Sequence, residues 1–396
     1  MGEEKIIIVG AGIGGLSAGI CLKEAGFSVR LLERFDEVRE VGAGILLAPN
    51  ASSVLYERGL GTNLEAVSAP MTDFEIRSWR GKVFVNRKFD AEEWQGPARM
   101  IHRAALQGVL LDAVGRENVE LSAQAVGYEP GENAATVVLE DGRRVIGRAV
   151  IGADGVHSKI REAIQGKGEL QYHGYTCWRG ITESFEHPDF DFGMLMEIHG
   201  PGLRTGMGYI DEDRVYWWAT ANRPEGQRDE LQSVKSDLLT TYREFPDFFH
   251  AMIEATPVEQ VLRNDIHDRR PTNQWGQGAV TLLGDAAHPM APNVGQGACS
   301  AIEDAAVLAR CLEQYDAPEE AFRLYERIRQ PRTADLQKIS KQFGTVGQWK
   351  NPLVVWLREL SMVLTPHSVM QRQQRRIWDY DVERQVRSER GRLRLP

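Results

Sequence analysis

The sequence predicts an α/β fold in which a nucleotide-type domain, interrupted by β-rich insertions, closes with C-terminal helices. Three observations carry that expectation. The chain opens with a short β-branched strand that turns through glycines into a helix and then a second apolar strand. Two later segments, Arg148 to Gly155 and Gly278 to His288, repeat the pattern of a buried strand ending in a turn. Elsewhere, residues 167–261 change to aromatic-rich, strand-like alternation.

A length of 396 residues exceeds one ordinary core and suggests two lobes. With 42% hydrophobic and 26% charged residues the composition is globular. A net charge of −9 argues against a nucleic-acid-binding role, since proteins that track phosphates carry a basic stripe. Cys21, Cys177, Cys299 and Cys311 lie far apart with no C-x-x-C pair, so they are expected to be buried free thiols in a reducing compartment, with no metal site. The N-terminus enters a strand at once, and no apolar run is long enough to span a bilayer. A cytoplasmic protein is expected.

Taken in order, Lys5 to Val9 is a strand and Gly14 to Ala25 a helix stopped by Gly26 in the left-handed position. Ser28 to Leu32 is the parallel partner strand, closed by Glu33. Helical spacing covers Asn50 to Gly59 and Met100 to Val114, and the pattern of a half-exposed strand covers Phe74 to Phe89. GLRTGMGYI-DEDR-VYWWATA predicts a hairpin, and a long helix runs from about Gln296 to Gln314. The segments 1–70, 98–166 and 262–330 thus form one discontinuous domain, with 71–97 and 167–261 in a β-rich second domain and 331–396 helical. Pro352 to Leu364 is the most apolar stretch of that tail; it reads as a packing or dimer helix, or as a membrane-surface patch. The arginines at 384, 387, 390, 392 and 394 read as a solvated helix end or a contact for an acidic partner.

The chemistry begins at Gly10, Gly12 and Gly15, a G-x-G-x-x-G between the first strand and helix. Gly10 permits a tight turn, Gly12 lets backbone approach a pyrophosphate, and Gly15 lets helix pack on strand, while the helix N-terminus offers free N–H donors. Chance supplies roughly 0.4 such matches in a chain with 39 glycines, so the strand–turn–helix context has to decide. Glu33, about 20 residues on, suits a ribose 2′-OH and argues against a 2′-phosphate. A Rossmann-type dinucleotide site follows, with Ile13, Gly14 and Arg34 among its expected neighbours.

V-I-G-A-D-G-V-H-S-K-I-R (Val150 to Arg161) and L-L-G-D-A-A-H-P-M-A-P-N-V-G-Q-G (Leu282 to Gly297) resemble the two later fingerprints of the aromatic-hydroxylase flavoproteins, the group A FAD monooxygenases. The three motifs agree with that family in order and spacing, and the resemblance runs over most of the chain. YHGYTCWRGI (Tyr172 to Ile181) looks closest to bacterial members and to the zeaxanthin-epoxidase-like branch.

The resemblance implies a Rossmann-type FAD-binding domain with an inserted β-rich substrate domain, FAD as cofactor and NADH or NADPH as a transient co-substrate. It implies that Asp285 meets the ribityl hydroxyls, and that Pro292, Gly295, Gln296 and Gly297 lie against the flavin, with Pro289 at its reacting edge. Arg103 would approach the pyrophosphate, with Gln107 one turn on. The segment GAGILLAPN (Gly42 to Asn50) would pass under the ring, with Ala43 and Gly44 as its backbone contacts, and Asp154 would serve FAD and the pyridine nucleotide. Arg161 would hold the loop or a nicotinamide phosphate, and His288 belongs to the turn scaffold rather than to catalysis. No second G-x-G-x-x-G follows a strand, so NAD(P)H would have no domain of its own.

On the substrate side, Arg204, Tyr216 and Trp218 lie on the predicted hairpin, with Tyr216 and Trp218 on one face; Tyr175 and Trp178 precede the sheet. Such aromatics either pack a core or line a pocket for a flat apolar molecule, with Arg204 available to a carboxylate or phenolate. The family's reaction would hydroxylate or epoxidise a small aromatic or conjugated substrate with O2 through a flavin C4a-hydroperoxide. An FAD-dependent oxidase and a flavin-binding partner protein without turnover stay open beside it. A halogenase would need W-x-W-x-I-P, where this chain has YWWATAN. Monomer and homodimer are both compatible with the sequence.

Overall fold

The computed structural model describes residues 5–37, 43–131 and 134–393. Its first layer is a six-stranded sheet whose centre is built from Ile6–Val9, Val29–Leu32, Ala149–Gly152 and Val280–Leu282. Apart from Arg30 and Thr281 these runs are apolar, packed by helices and by the strands Ala135–Leu139 and Arg144–Gly147, and they pair in parallel: Ile6 opposes both Val29 and Ala149, and Val150 opposes Val280. Helix Ile13–Glu24 connects the first two strands, and Gly26 (φ +86°) turns the chain back as expected. Helix Gly297–Leu312 packs beside it.

The second layer is a seven-stranded sheet in which Leu203–Tyr209 and Val215–Asn222 form the expected hairpin. The register sets Gly208 opposite Tyr216, Gly206 opposite Trp218 and Arg204 opposite Thr220. Because side chains alternate, one face carries Arg204, Tyr216, Trp218, Tyr175, Cys177 and Arg179. The opposite face carries Trp178, Met207, Tyr209, Trp217 and Ala219 into a separate core beneath helices Val234–Thr241 and Asp247–Glu254.

Several expectations are corrected. Met100 to Val114 is not helical throughout: Arg99–His102 is a strand between Gly44–Leu47 and Ser68–Pro70, and the helix starts at Arg103. His102 marks the boundary, its Nδ1 accepting the Ala104 N–H at 3.2 Å. Phe74 to Phe89 is a hairpin of Asp73–Ser78 and Val83–Lys88, with Gly81 at φ +82° in its turn. The aromatic-rich stretch contains two eight-residue helices, too short to show a clear period, that present Phe248, Phe249, Met252 and Ile253 to the sheet. Strand Leu262–Asp268 pairs with Gln171–Ile181 in the seven-stranded sheet, not with the nucleotide segments where the sequence placed it. The small antiparallel sheet of Ala125–Pro130, Ala135–Leu139 and Arg144–Gly147 has no counterpart in the sequence expectations. Tyr175 and Trp178 lie within the sheet rather than before it, on opposite faces.

Between Pro318 and Leu393 the chain forms four successive helices, Pro318–Gly347, Pro352–Leu364, His367–Trp378 and Val382–Leu393. The four cysteines are free and buried. No helix among the described residues is long and apolar enough to cross a membrane. Gly42, in the segment expected to pass under a flavin, and Arg394 of the tail lie outside the described residues.

Candidate active site

The glycine turn has the shape its spacing requires. Gly10 sits at φ +103°, and a Cβ there would lie 2.5 Å from the Ala153 carbonyl oxygen. A Cβ on Gly15 would lie 2.0 Å from the Gly10 oxygen, so any side chain would force helix and strand apart. Gly14 leaves room for Leu283 and Ala301, and Ile13 is buried at the start of the helix. Gly12 differs: nothing stands within 4 Å of its Cβ position, which leaves open space above the helix N-terminus.

Around that space, the Glu33 carboxylate accepts the Ala11 N–H at 2.8 Å and the Phe35 N–H at 3.2 Å. Gln107 donates to the Ala11 carbonyl at 2.9 Å, which ties the second helix to the turn. Arg34 is exposed, its guanidinium 4.6 Å from the Phe35 ring centre. Arg103 begins its helix with its N–H bonded to the Ala43 carbonyl at 3.1 Å. Its side chain is open to solvent, yet the surrounding protein desolvates it and lowers its pKa against the pull of Asp285. Open but desolvated is the signature of a group lining a deep cleft.

Asp285 faces Arg103 across this cleft. Burial raises its pKa, with His288 and Arg103 opposing and Asp304 adding to the rise. Its carboxylate makes no hydrogen bond with another described residue, and the Cβ position of Gly297 lies 3.9 Å from its Oδ1. Gly295 adopts φ +63° after the turn Pro292–Val294, whose Pro292 is exposed. The fully buried Gln296 accepts from Asn50 Nδ2 at 3.0 Å, while its own Nε2 has no partner. Behind it, Asn50 also donates to Glu303. Glu303 bonds Arg329 at 2.7 Å, and Arg329 bonds Asp304 at 2.6 Å. Asp304 in turn holds the Gly284 N–H at 3.0 Å and His288 Nε2 at 2.6 Å. His288 is thereby tied to helix Gly297–Leu312 through Asp304.

Other candidates are engaged differently. The Asp154 carboxylate accepts from Ser158 and from the Lys159 and Ile160 N–H groups, at 2.5, 2.6 and 3.3 Å, and so caps helix Lys159–Gln165. Arg161 donates to the Val156 carbonyl at 2.9 Å and braces the same loop. The Pro289 carbonyl accepts from Gln337 at 3.0 Å and from the Arg269 N–H at 3.5 Å.

The sheet side closes on these elements. The Tyr216 ring lies against Gly44, where a Cβ would come within 2.4 Å of it, and Trp218 stands 5.6 Å away between ring centres. The Trp218 indole covers Gly206, whose Cβ would fall 2.0 Å from it. Burial pushes the Tyr216 hydroxyl well up, so it is a neutral donor. Arg204 is 3% exposed and donates through Nη2 to Asn293 Oδ1 at 2.8 Å, the same oxygen that accepts from Tyr175 at 3.0 Å. Trp178 takes no part; its indole N–H bonds Asp229 at 2.5 Å on the far face.

Two residues near the cleft were not singled out in the sequence. Arg179 interacts with Arg103 and Tyr216 across it and bonds Asn264. Its position two residues beyond Cys177 and four beyond Tyr175 was the signal that it shares their face. Asn293 joins Arg204 and Tyr175 from within the last glycine-rich motif.

Open space at Gly12, an unpartnered carboxylate at Asp285 and an orphaned buried amide at Gln296 fit a bound dinucleotide with a ring at Gly295–Gly297. The comparisons agree. A family model described as FAD binding domain matches residues 3–340. The chain is 38% identical over 359 residues to aurachin C monooxygenase/isomerase of Stigmatella aurantiaca, covering 90% of this chain and 93% of that protein. It is 33% identical over 390 residues to the chloroplastic zeaxanthin epoxidase of Solanum lycopersicum, covering 91% of this chain but 57% of that longer protein. Klebsiella pneumoniae HpxO, solved with FAD and uric acid, superimposes with a TM-score of 0.88 at 26% identity, over 98% of this chain and 97% of that one. The turn at Gly10–Gly15, the carboxylate at Asp285 and the extent of these matches lead to one assignment: the chain belongs to the group A FAD-dependent monooxygenases, the aromatic-hydroxylase flavoprotein family.

Proposed function

We infer that this enzyme uses NADH or NADPH and O2 to insert one oxygen atom into a small aromatic or conjugated molecule held between the two sheets. The observation that carries the reading is the apposition of two surfaces. One is the cofactor-shaped cleft of Gly12, Arg103, Asp285 and Gly297; the other is the face of Tyr216, Trp218 and Arg204. Relatives named as a urate hydroxylase and a 2-heptyl-3-hydroxy-4(1H)-quinolone synthase support a flat, heteroaromatic or conjugated substrate.

Bound FAD supplies the redox chemistry, accepting hydride and then activating O2. In this reading Asp285 accepts hydrogen bonds from the ribityl chain and Arg103 faces the pyrophosphate. The N-terminus of helix Gly297–Leu312, with no acid in its first turn, offers its positive end to the reduced ring. Glu33 and Arg34 hold the adenosine end, and Gln107, Ala43 and Gly44 support the cleft wall. Asp154 acts through the loop that it caps, and Pro289 sets the turn beside the ring. Tyr216 and Trp218 exclude water over the reacting position and Arg204 orients an anionic or carbonyl oxygen of the substrate. We place its work in the cytoplasm, in keeping with four buried cysteines that are free of disulfides.

The test is stopped-flow spectroscopy. The holoenzyme is reduced anaerobically with NADH or NADPH and mixed with O2. A transient absorbing species between the reduced and oxidised spectra, whose decay candidate heteroaromatics accelerate with product formation, is expected. Direct return to oxidised flavin with stoichiometric H2O2 in the presence of every candidate would favour an oxidase.

A further inference from the structure

We propose that the outward face of helix Pro352–Leu364 is a docking surface for an anionic lipid bilayer. The helix is amphipathic in the inverted sense. Leu353, Trp356, Leu357, Leu360, Val363 and Leu364 recur at intervals of three and four and are all exposed, Leu353 and Leu364 by 66% and 67%. The inward face holds Val355 and, 2% exposed, the guanidinium of Arg358. That arginine donates to the carbonyls of Val346, Gly347 and Gly200 at 3.4, 3.3 and 3.2 Å. The helix is therefore pinned by a buried charge and cannot roll to hide its leucines. A contiguous apolar stripe fixed toward solvent calls for an apolar counterpart.

Charge selects that counterpart. The chain carries −9 overall, but from Lys338 to Arg376 it has seven cations and one acid, Glu359. Lys338, Lys341, Lys350 and Arg372 are exposed and make no ion pair among the described residues. An apolar helix face flanked by cations is the pattern of an interfacial helix drawn to anionic headgroups. A second copy suits it less well. A 13-residue helix is about 20 Å long and one face covers a few hundred Å², against the roughly 800 Å² per partner of a stable dimer. A twofold contact would also bring identical cations together. The surface adjoins the substrate side of the molecule: Gly347, whose carbonyl Arg358 holds, has its Cβ position 3.3 Å from Arg204 Nη1.

The intact holoenzyme is floated through a density gradient with vesicles of phosphatidylcholine plus phosphatidylglycerol and, separately, of phosphatidylcholine alone. It should rise with the anionic vesicles and be released by salt. Combining Leu357→Ser with Leu360→Ser should lower the bound fraction about tenfold or more, with FAD content unchanged. Lys341→Glu with Arg372→Glu should weaken binding to the anionic vesicles without touching the apolar stripe, which keeps the test informative if the leucine variants fold poorly. Wild-type protein that stays at the bottom of the gradient, or leucine variants that float as well as wild type, would overturn the proposal. So would a dimer, seen by sedimentation, that the leucine substitutions dissociate; that face would then belong to a second copy.

Discussion

Replacing Arg329 with Met removes a guanidinium that joins two fully buried carboxylates. Arg329, Glu303 and Asp304 are each 0% exposed, with ion-pair distances of 2.7 and 2.6 Å. Burial alone would raise both acids. The neighbouring cations outweigh it: Arg332 and Arg329 hold Glu303 below the usual range, and His288 and Arg329 hold Asp304 at about 2. Removing one partner of a buried pair costs about 3–5 kcal/mol, because the other charge remains without compensation. Here compensation survives, since Arg332 still reaches Glu303 at 3.1 Å and His288 still reaches Asp304 at 2.6 Å. The lower end, about 3 kcal/mol, is therefore expected for Arg329→Met, or about 1 M in urea midpoint at a slope near 3 kcal/mol/M. The assay is equilibrium urea unfolding of the apoprotein by tryptophan fluorescence, paired with FAD titration, because Glu303 also anchors Asn50 and through it Gln296. A stability loss under about 1 kcal/mol with unchanged FAD affinity would refute the charged network as described.

The same cluster sets an acid limit. Asp304 has a folded pKa of about 2 against about 3.9 unfolded, so its contribution is complete above about 4 and is lost as pH falls from there through about 2. Asp304→Asn should flatten the urea midpoint across that window; an unchanged slope would place the acid lability elsewhere. Asp285→Ala should release FAD while leaving the apoprotein as stable or slightly more so, since burial disfavours the native carboxylate; full flavin retention after gel filtration would contradict its assigned role. Arg204→Ala should keep FAD but divert reducing equivalents to H2O2, measured as product formed per NAD(P)H consumed; unchanged coupling would make Arg204 purely structural. Gly206→Ala drives a methyl into the Trp218 indole and should cost about 1–3 kcal/mol and alter KM with flavin content intact; a neutral substitution would mean the indole is free to move.

The cofactor half of the molecule was legible because its chemistry is local. Gly10, Gly12 and Gly15 lie within six residues, and the strands they follow are apolar runs whose burial on both faces leaves little ambiguity. The substrate half was legible only as a face. The period of two places Tyr216 with Trp218, but not Trp178 away from Tyr175, because nothing in the sequence marks Gln171–Ile181 as a strand of the same sheet. The Asn50–Glu303–Arg329 network was invisible for another reason. Its members are about 250 and 25 residues apart, and each alone looks like an ordinary polar residue on a helix. Asp154 shows the converse, a residue that stands out in its motif and whose carboxylate serves the backbone at the start of a helix.

Burial gives the four cysteines a chemical consequence. Desolvation raises every one of these thiols, Cys21 to about 11 and Cys299 to about 12. Near neutrality the nucleophilic thiolate of Cys21 is present at a fraction on the order of 10⁻⁴. Peroxide oxidises cysteine in proportion to its thiolate character and exposure, so any that escaped from a failed oxygen transfer would find little to attack here. By keeping its sulfur protonated and out of solvent, this fold is built to outlast its own misfires.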